Sequence, residues 1–231
     1  MKLLFFLYIF ISLVVSVFSY GFTDPNLRLW QNPMFVSLHG PLKQFVYVHS
    51  VSAAVMTAVL LGFLFLLYYV VLRRHGTEQP DPKKMKAITL IALVAGILLF
   101  AYPMFTYDLF NYILTAKVTF FWHENPYLVM PIEIPNEPNL VFTRAANKLA
   151  LYGPTWIAST ALPSLAGFGN VWLSFIAFKL LSIFWFGFMI WLIWRTTKNS
   201  WNVMFFGLNP LVISEILING HNDAAMMVLA I

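Results

Sequence analysis

The chain has 231 residues, of which 60% are hydrophobic, 18% aromatic and only 10% charged, with a net charge of +5 and no cysteine. That balance excludes a soluble globular enzyme, a disulfide scaffold and a thiolate metal site, and describes an all-α polytopic transmembrane helix bundle. The excess of Lys and Arg lies in short loops between apolar runs, with no basic patch or aromatic ladder for nucleic acid, so the expected surroundings are membrane lipids.

Apolar runs long enough for a hydrocarbon core of about 30 Å occur at 3–20, 46–72, 87–105, 170–194 and 201–218. Lys2, the first run and Val17-Phe18-Ser19 together resemble a cleavable signal peptide, but the run is longer than a usual h-region and favours an uncleaved helix. Between the second and third runs, 73–86 holds Arg73, Arg74, Lys83, Lys84 and Lys86, and Arg195 with Lys198 occupies the later tight turn. Basic short loops are cytoplasmic, which places 106–169 outside and brings the end of the fifth run out on the same side. A last apolar run begins at 224 and stops at Ile231, too short to span, so the chain reads as an N-terminal fragment of one transmembrane domain covering 1–231.

The external segment 106–169 is too rich in proline to span and too apolar for a free loop, so short interfacial helices are expected. At helical spacing Asp108, Asn111, Tyr112, Thr115 and Thr119 share one face of its first piece. Leu109, Phe110, Ile113, Leu114 and Val118 form the opposite, lipid-directed face, with the Lys117 stem lying along lipid. Asp108 is then either a helix N-cap or a functional carboxylate held away from lipid. The stretch 124–139 contains four prolines and reads as a loop, in which Glu133 and Glu137 are most simply solvated acids. Tyr152-Gly153-Pro154 opens a short apolar stretch at 155–168, a juxtamembrane helix or re-entrant segment with Pro154 in its first turn.

Two ionisable groups fall within the later runs. Lys179 lies roughly 15 Å into its helix and is either a partner for a lipid phosphate or a snorkelling lysine. Glu215 lies one turn below Asn219, beyond a kink expected at Asn209-Pro210. Gly220 ends that helix, and His221, Asn222 and Asp223 make either an ordinary turn with a new N-cap or part of a site. Two adjacent ligands, His221 and Asp223, do not make a metal site.

Four polar motifs thus stand in one order on one side: Thr106 to Tyr112, Glu124-Asn125-Pro126-Tyr127, Tyr152 to Trp156, and Asn219 to Asp223. Polar groups persist in a membrane chain where water or a polar ligand reaches them. In this order, Tyr107-Asp108, Asn125-Pro126-Tyr127, Tyr152-Gly153-Pro154 and Gly220-His221-Asn222-Asp223 resemble the N-terminal half of the GT-C superfamily of membrane glycosyltransferases. The resemblance covers about 100–231 and is closest to bacterial polyprenol-phosphate-mannose-dependent alpha-mannosyltransferases.

The resemblance implies transfer of a hexose, mannose above all, from a polyprenyl-phosphate donor to a glycan or glycolipid acceptor, on the outer face of a bacterial plasma membrane. It implies Asp108 as the catalytic base and Lys179 and His221 near the donor phosphate. Tyr107, Asn111, Tyr112, Asn125, Tyr127, Tyr152, Trp156, Glu215, Asn219, Asn222 and Asp223 complete the expected substrate-binding set. Many relatives carry paired acids where Tyr107-Asp108 has one carboxylate, so no metal or other cofactor is expected. The alternatives are a transporter or flippase, suggested by Lys179, Glu215 and the kinked helix, and a non-catalytic remnant.

Overall fold

The computed structural model describes residues 2–24, 33–75 and 82–230, and every regular element among them is helical. The basic loop 73–86, on which the orientation partly rests, lies in part outside the described residues, as does Ile231. The helices are α1 (Lys2–Ser19), α2 (Pro33–Val48), α3 (Ser50–His75), α4 (Pro82–Leu98), α5 (Asp108–Phe120), α6 (Pro154–Ser159) and α7 (Ala161–Ala166). They continue with α8 (Val171–Thr197), α9 (Ser200–Gly207), α10 (Pro210–Ile218) and α11 (Asp223–Ala230).

The stretches Lys2–Phe22, Ser50–Arg74 and Val171–Thr197 are long and apolar enough to cross a membrane, and α9 with α10, bent by 48°, meets the same length and composition only as a pair, as a broken span or a re-entrant loop does. The protein is therefore a membrane protein. The bend falls where Asn209-Pro210 interrupts the helix: Pro210 has no N–H to donate, and the Asn209 side chain restarts the helix by accepting from Leu211 N at 3.0 Å. One carbonyl freed there, that of Leu208, accepts a hydrogen bond from the buried Tyr8 hydroxyl of α1. α1 packs on α3 and α4, and α9 fits between α4 and α8. That fit is close, since a Cβ on Gly207 would lie 2.6 Å from Ile91 of α4 and 2.8 Å from Ile190 of α8.

The run expected as a span over 87–105 is a helix only to Leu98. Pro103 cannot continue a helix and biases Tyr102 away from helical backbone, so 101–107 runs irregularly. Its buried N–H groups are satisfied from elsewhere: Tyr102 N donates to Ser19 Oγ at 2.8 Å, and Met104 N and Phe105 N both donate to Asn219 Oδ1 at 3.2 Å.

The larger correction concerns α5, which has no lipid-directed face. Leu109, Phe110, Ile113, Leu114 and Val118 are buried, and so are Asn111, Tyr112 and Thr115 on the other side. Residues 121–166 fold back over the helix, with α6 and α7 against it, while α8 closes the inner side. Lys117 does not lie along lipid and Glu137 is not solvated; they form a buried ion pair at 2.6 Å, with side-chain exposures of 13% and 0%. The proline-rich stretch forms two short 3-10 turns, Pro131–Glu133 and Pro138–Phe142, rather than only loop. α6 begins as expected, with Gly153 at the N-cap and Pro154 at the first helical position.

Candidate functional site

Asp108 opens α5 but does not cap it. Tyr107 holds the N-cap position without a side-chain hydrogen bond, and the Asp108 carboxylate turns towards the loop between α10 and α11. Asn111 Nδ2 donates to Asp108 Oδ1 at 3.2 Å, and the Asp108 backbone N–H donates to Thr106 Oγ1 at 3.1 Å. The other carboxylate oxygen lies 3.2 Å from His221 Nε2.

His221 reaches Asp108 because α10 ends in an unusual way. Ile213–Ile218 is π-helical, with Asn219 N donating to Ser214 O and His221 N to Glu215 O, both at 2.9 Å. The wider turn puts Glu215 beside the loop rather than beneath it, so that Glu215 Oε2 is 3.1 Å from His221 Nδ1. Gly220 then takes φ of 77°, where side chains are strained, and a Cβ there would lie 2.8 Å from Leu109 Cδ1. Asp223 Oδ2 stands 3.7 Å from the same His221 Nδ1. One imidazole thus faces three carboxylates, from α5, α10 and α11.

The electrostatics follow from that count. The Asp108 contact, and then the charges of Glu215, Asp108 and Asp223, hold His221 above its ordinary value of 6.5 despite the opposing effect of burial. Asp108 is held below 3.8, first by His221, against burial, with Asn111 and Thr106 adding hydrogen bonds. The carboxylate is therefore ionised at neutral pH, and an imidazolium has one nitrogen within ion-pair distance of Asp108 and the other within ion-pair distance of Glu215.

Aromatic groups wall this cluster. The Tyr112 ring meets Tyr152 edge-on at 4.6 Å and Trp156 at 5.1 Å, and Tyr112 OH donates to Asn222 Oδ1 at 3.3 Å. Burial, followed by the Asp108 charge, raises the Tyr152 phenol above its usual value, which keeps it a neutral donor. Tyr127 OH donates to Tyr152 O at 2.7 Å, bracing the wall from outside. Asn125 serves its own turn, accepting from Tyr127 N at 3.0 Å, and is not brought to Asp108 by any contact. Trp156 is buried in the core between α5 and α8, its indole N–H without a hydrogen-bond partner among the described residues.

Two expected ligands are occupied structurally. The Lys179 ammonium donates to the Leu217 carbonyl and, at 3.0 Å, to Ile218 O, carbonyls at the end of the π turn, and its side chain is almost wholly buried. It satisfies a helix end instead of joining the carboxylates. Asn219 is 1% exposed, with its oxygen holding the 104–105 backbone and its amide nitrogen 3.5 Å from Glu215 Oε2.

Several residues escaped the sequence reading. Thr143 donates a short hydrogen bond to Asn111 Oδ1, fixing the amide that holds Asp108. Arg144 pairs with the buried Asp24 at 3.3 Å and stacks over the Tyr107 ring at 4.6 Å. A signal for Arg144 did exist: it is the one arginine in 106–169, in a segment the charge bias assigns to the side where basic residues are scarce.

A protein-family model described as alpha-(1->6)-mannopyranosyltransferase, N-terminal domain, matches residues 10–231. The chain belongs to that family. It is accordingly an alpha-mannosyltransferase by family, which removes the transporter alternative, and the match runs through all four motifs. No curated protein and no solved structure matches the chain. Among the described residues of this mannosyltransferase, no three His, Asp or Glu side chains are grouped so as to hold a metal ion. The three carboxylates about His221 point at the imidazole, not at a shared vacant centre.

Proposed function

We propose that this chain carries the reacting centre of a GT-C-type mannosyltransferase that uses a polyprenyl-phosphate-linked mannose and works on the outer face of a bacterial plasma membrane. The observation that carries the reading is the 3.2 Å contact between Asp108 and His221, which joins the first and last motifs across more than a hundred residues. The Asp108 side chain is 37% exposed, so it can meet an acceptor and still be held by His221 and Asn111.

In the reaction a hydroxyl of the glycan or glycolipid acceptor attacks the anomeric carbon of the donor. The new C–O bond forms as the bond from that carbon to the phosphate oxygen breaks, and the phosphate leaves with the electron pair. Asp108 takes the hydroxyl proton, since an alcohol is a poor nucleophile until a positioned base removes it. His221 keeps that carboxylate oriented, and Glu215 and Asp223 favour the imidazolium that does so. Tyr152, partly exposed and backed by the buried Tyr112 ring, offers a ring face for the apolar side of a pyranose.

The test is incubation of membranes with labelled polyprenyl-phosphate hexoses, comparing wild type with Asp108→Asn. Transfer by the wild type and its loss in the variant are expected. Equal transfer by both would remove Asp108 from the mechanism.

A further inference from the structure

Beside Tyr107 there is a cavity of about 260 Å3, lined by Val46 and Tyr47 of α2, Ser50 of α3, Tyr102, Thr106 and Tyr107 among others. Each of its tyrosine hydroxyls has one partner: Tyr47 OH donates to Thr23 O at 3.3 Å, Tyr102 OH accepts from Asp24 N at 3.2 Å, and Tyr107 OH accepts from Arg144 at 3.3 Å. At the Tyr107 end stands Arg144. One guanidinium nitrogen makes both of its contacts, 3.3 Å to Asp24 Oδ2 and 3.3 Å to Tyr107 OH. The other two nitrogens have no partner among the described residues, and the side chain is 61% exposed. A buried carboxylate and a stacked ring thus hold a cation in place while leaving donors open, the arrangement that suits bidentate recognition of a phosphate.

We infer that this cavity and Arg144 bind the phosphate end of a long-chain lipid phosphate, with Arg144 on the phosphate and the ring-lined hollow on the first part of the chain. The inference rests on the proposed function, in which the donor is such a lipid, and adds the place where it sits. The lining, mostly aromatic and aliphatic side chains with Ser50 and Thr106, suits a largely apolar occupant better than a free sugar, most of whose hydroxyls would go unmatched. Charge decides against the alternative position beside His221, where three carboxylates face one imidazole and would repel a phosphate. Size decides how much of the lipid enters: the hollow falls below the roughly 300–1,000 Å3 of pockets that engulf a whole small molecule. The remainder of the chain continues over α3, where Val51 and Val55 are exposed on a membrane-spanning helix. Thr106 connects the two sites, lining the cavity while its hydroxyl accepts the Asp108 N–H.

The test measures equilibrium binding to the full chain in lipid nanodiscs, with farnesyl phosphate, farnesol and inorganic phosphate as probes. Farnesyl phosphate should bind the wild type and bind Arg144→Gln about tenfold or more weakly, with part of the affinity restored in Arg144→Lys. Farnesol should not distinguish wild type from Arg144→Gln, and inorganic phosphate at the same concentration should not displace farnesyl phosphate. Ser50→Phe, which narrows the cavity from the start of α3 and leaves the Arg144 side chain in place, should also weaken binding and covers the case in which loss of Arg144 unfolds the protein. Undiminished binding of farnesyl phosphate to a folded Arg144→Gln or to Ser50→Phe overturns the inference, as does displacement by phosphate alone. Binding that depends on Arg144 without any transfer would fault the proposed function, whereas transfer with a donor KM unchanged in Arg144→Gln would fault this inference alone.

Discussion

The two ends of α5 carry opposite kinds of charge cluster. At its C-terminal end Lys117 meets Glu137 one to one, out of solvent, and Glu137 also accepts from Trp122 Nε1 at 3.4 Å and from Asn139 N at 2.9 Å. Both Glu137 oxygens are engaged, and the pair fastens the proline-rich segment to the helix. At the N-terminal end Asp108 shares a single imidazole with Glu215 and Asp223, and all three carboxylates are partly open to solvent. A balanced, buried pair holds structure together; an unbalanced, half-open cluster costs stability and is tolerated where chemistry needs it.

The difference can be broken from either end. Asp108→Asn keeps the shape and the hydrogen bond with Asn111 but cannot take a proton, and should lower transfer by about 10²–10⁴-fold while the unfolding midpoint falls only by the modest loss of the half-exposed His221 ion pair. Radiolabelled transfer and thermal unfolding of the same membranes measure the two. Glu137→Ala should do the reverse, costing about 3–5 kcal/mol of stability because Lys117 is left buried and unpaired. The rate per folded molecule should survive, measured below the lowered midpoint.

A pH series sharpens the comparison. His221 is held above its ordinary value, so what it contributes is complete below about 6.5 and is lost as pH rises through its value in the folded protein. Asp108 is held below its ordinary value, so its contribution is complete above about 3.9 and is lost as pH falls through its lower folded value. Stability and rate should therefore be level between roughly pH 4 and 6.5 and fall on both sides. His221→Gln should flatten the alkaline fall, while Glu137→Gln should leave it in place. The smallest effect expected is that of Tyr112→Phe, about 0.5–1.5 kcal/mol of unfolding free energy from the lost hydrogen bond to Asn222.

Much of the frame was legible in the chain. Apolar run length marked α1, α3 and α8; Asn209-Pro210 marked the bend; and Tyr152-Gly153-Pro154 marked the start of α6. These depend on neighbours in sequence, on how long a run is and on whether a backbone N–H exists to donate. Asp108 and His221 could be marked as exceptions to an apolar rule, though not as partners. The burial of α5 on both faces, the pairing of Lys117 with Glu137 and the capping of a π turn by Lys179 could not be read off. Helical period says which residues share a face, but what covers that face comes from elsewhere in the chain.

The sequence by itself therefore determined a helical membrane chain with four polar motifs in a family's order. Only the tertiary structure decided that Lys179 ties a helix end, that Asn219 holds the backbone leading to Asp108, and that Arg144 is held by Asp24 and Tyr107 with donors left open. The physical reason is that a buried polar group must be satisfied by whatever lies within hydrogen-bond reach. For these residues that neighbour is 38 to 120 positions away along the chain.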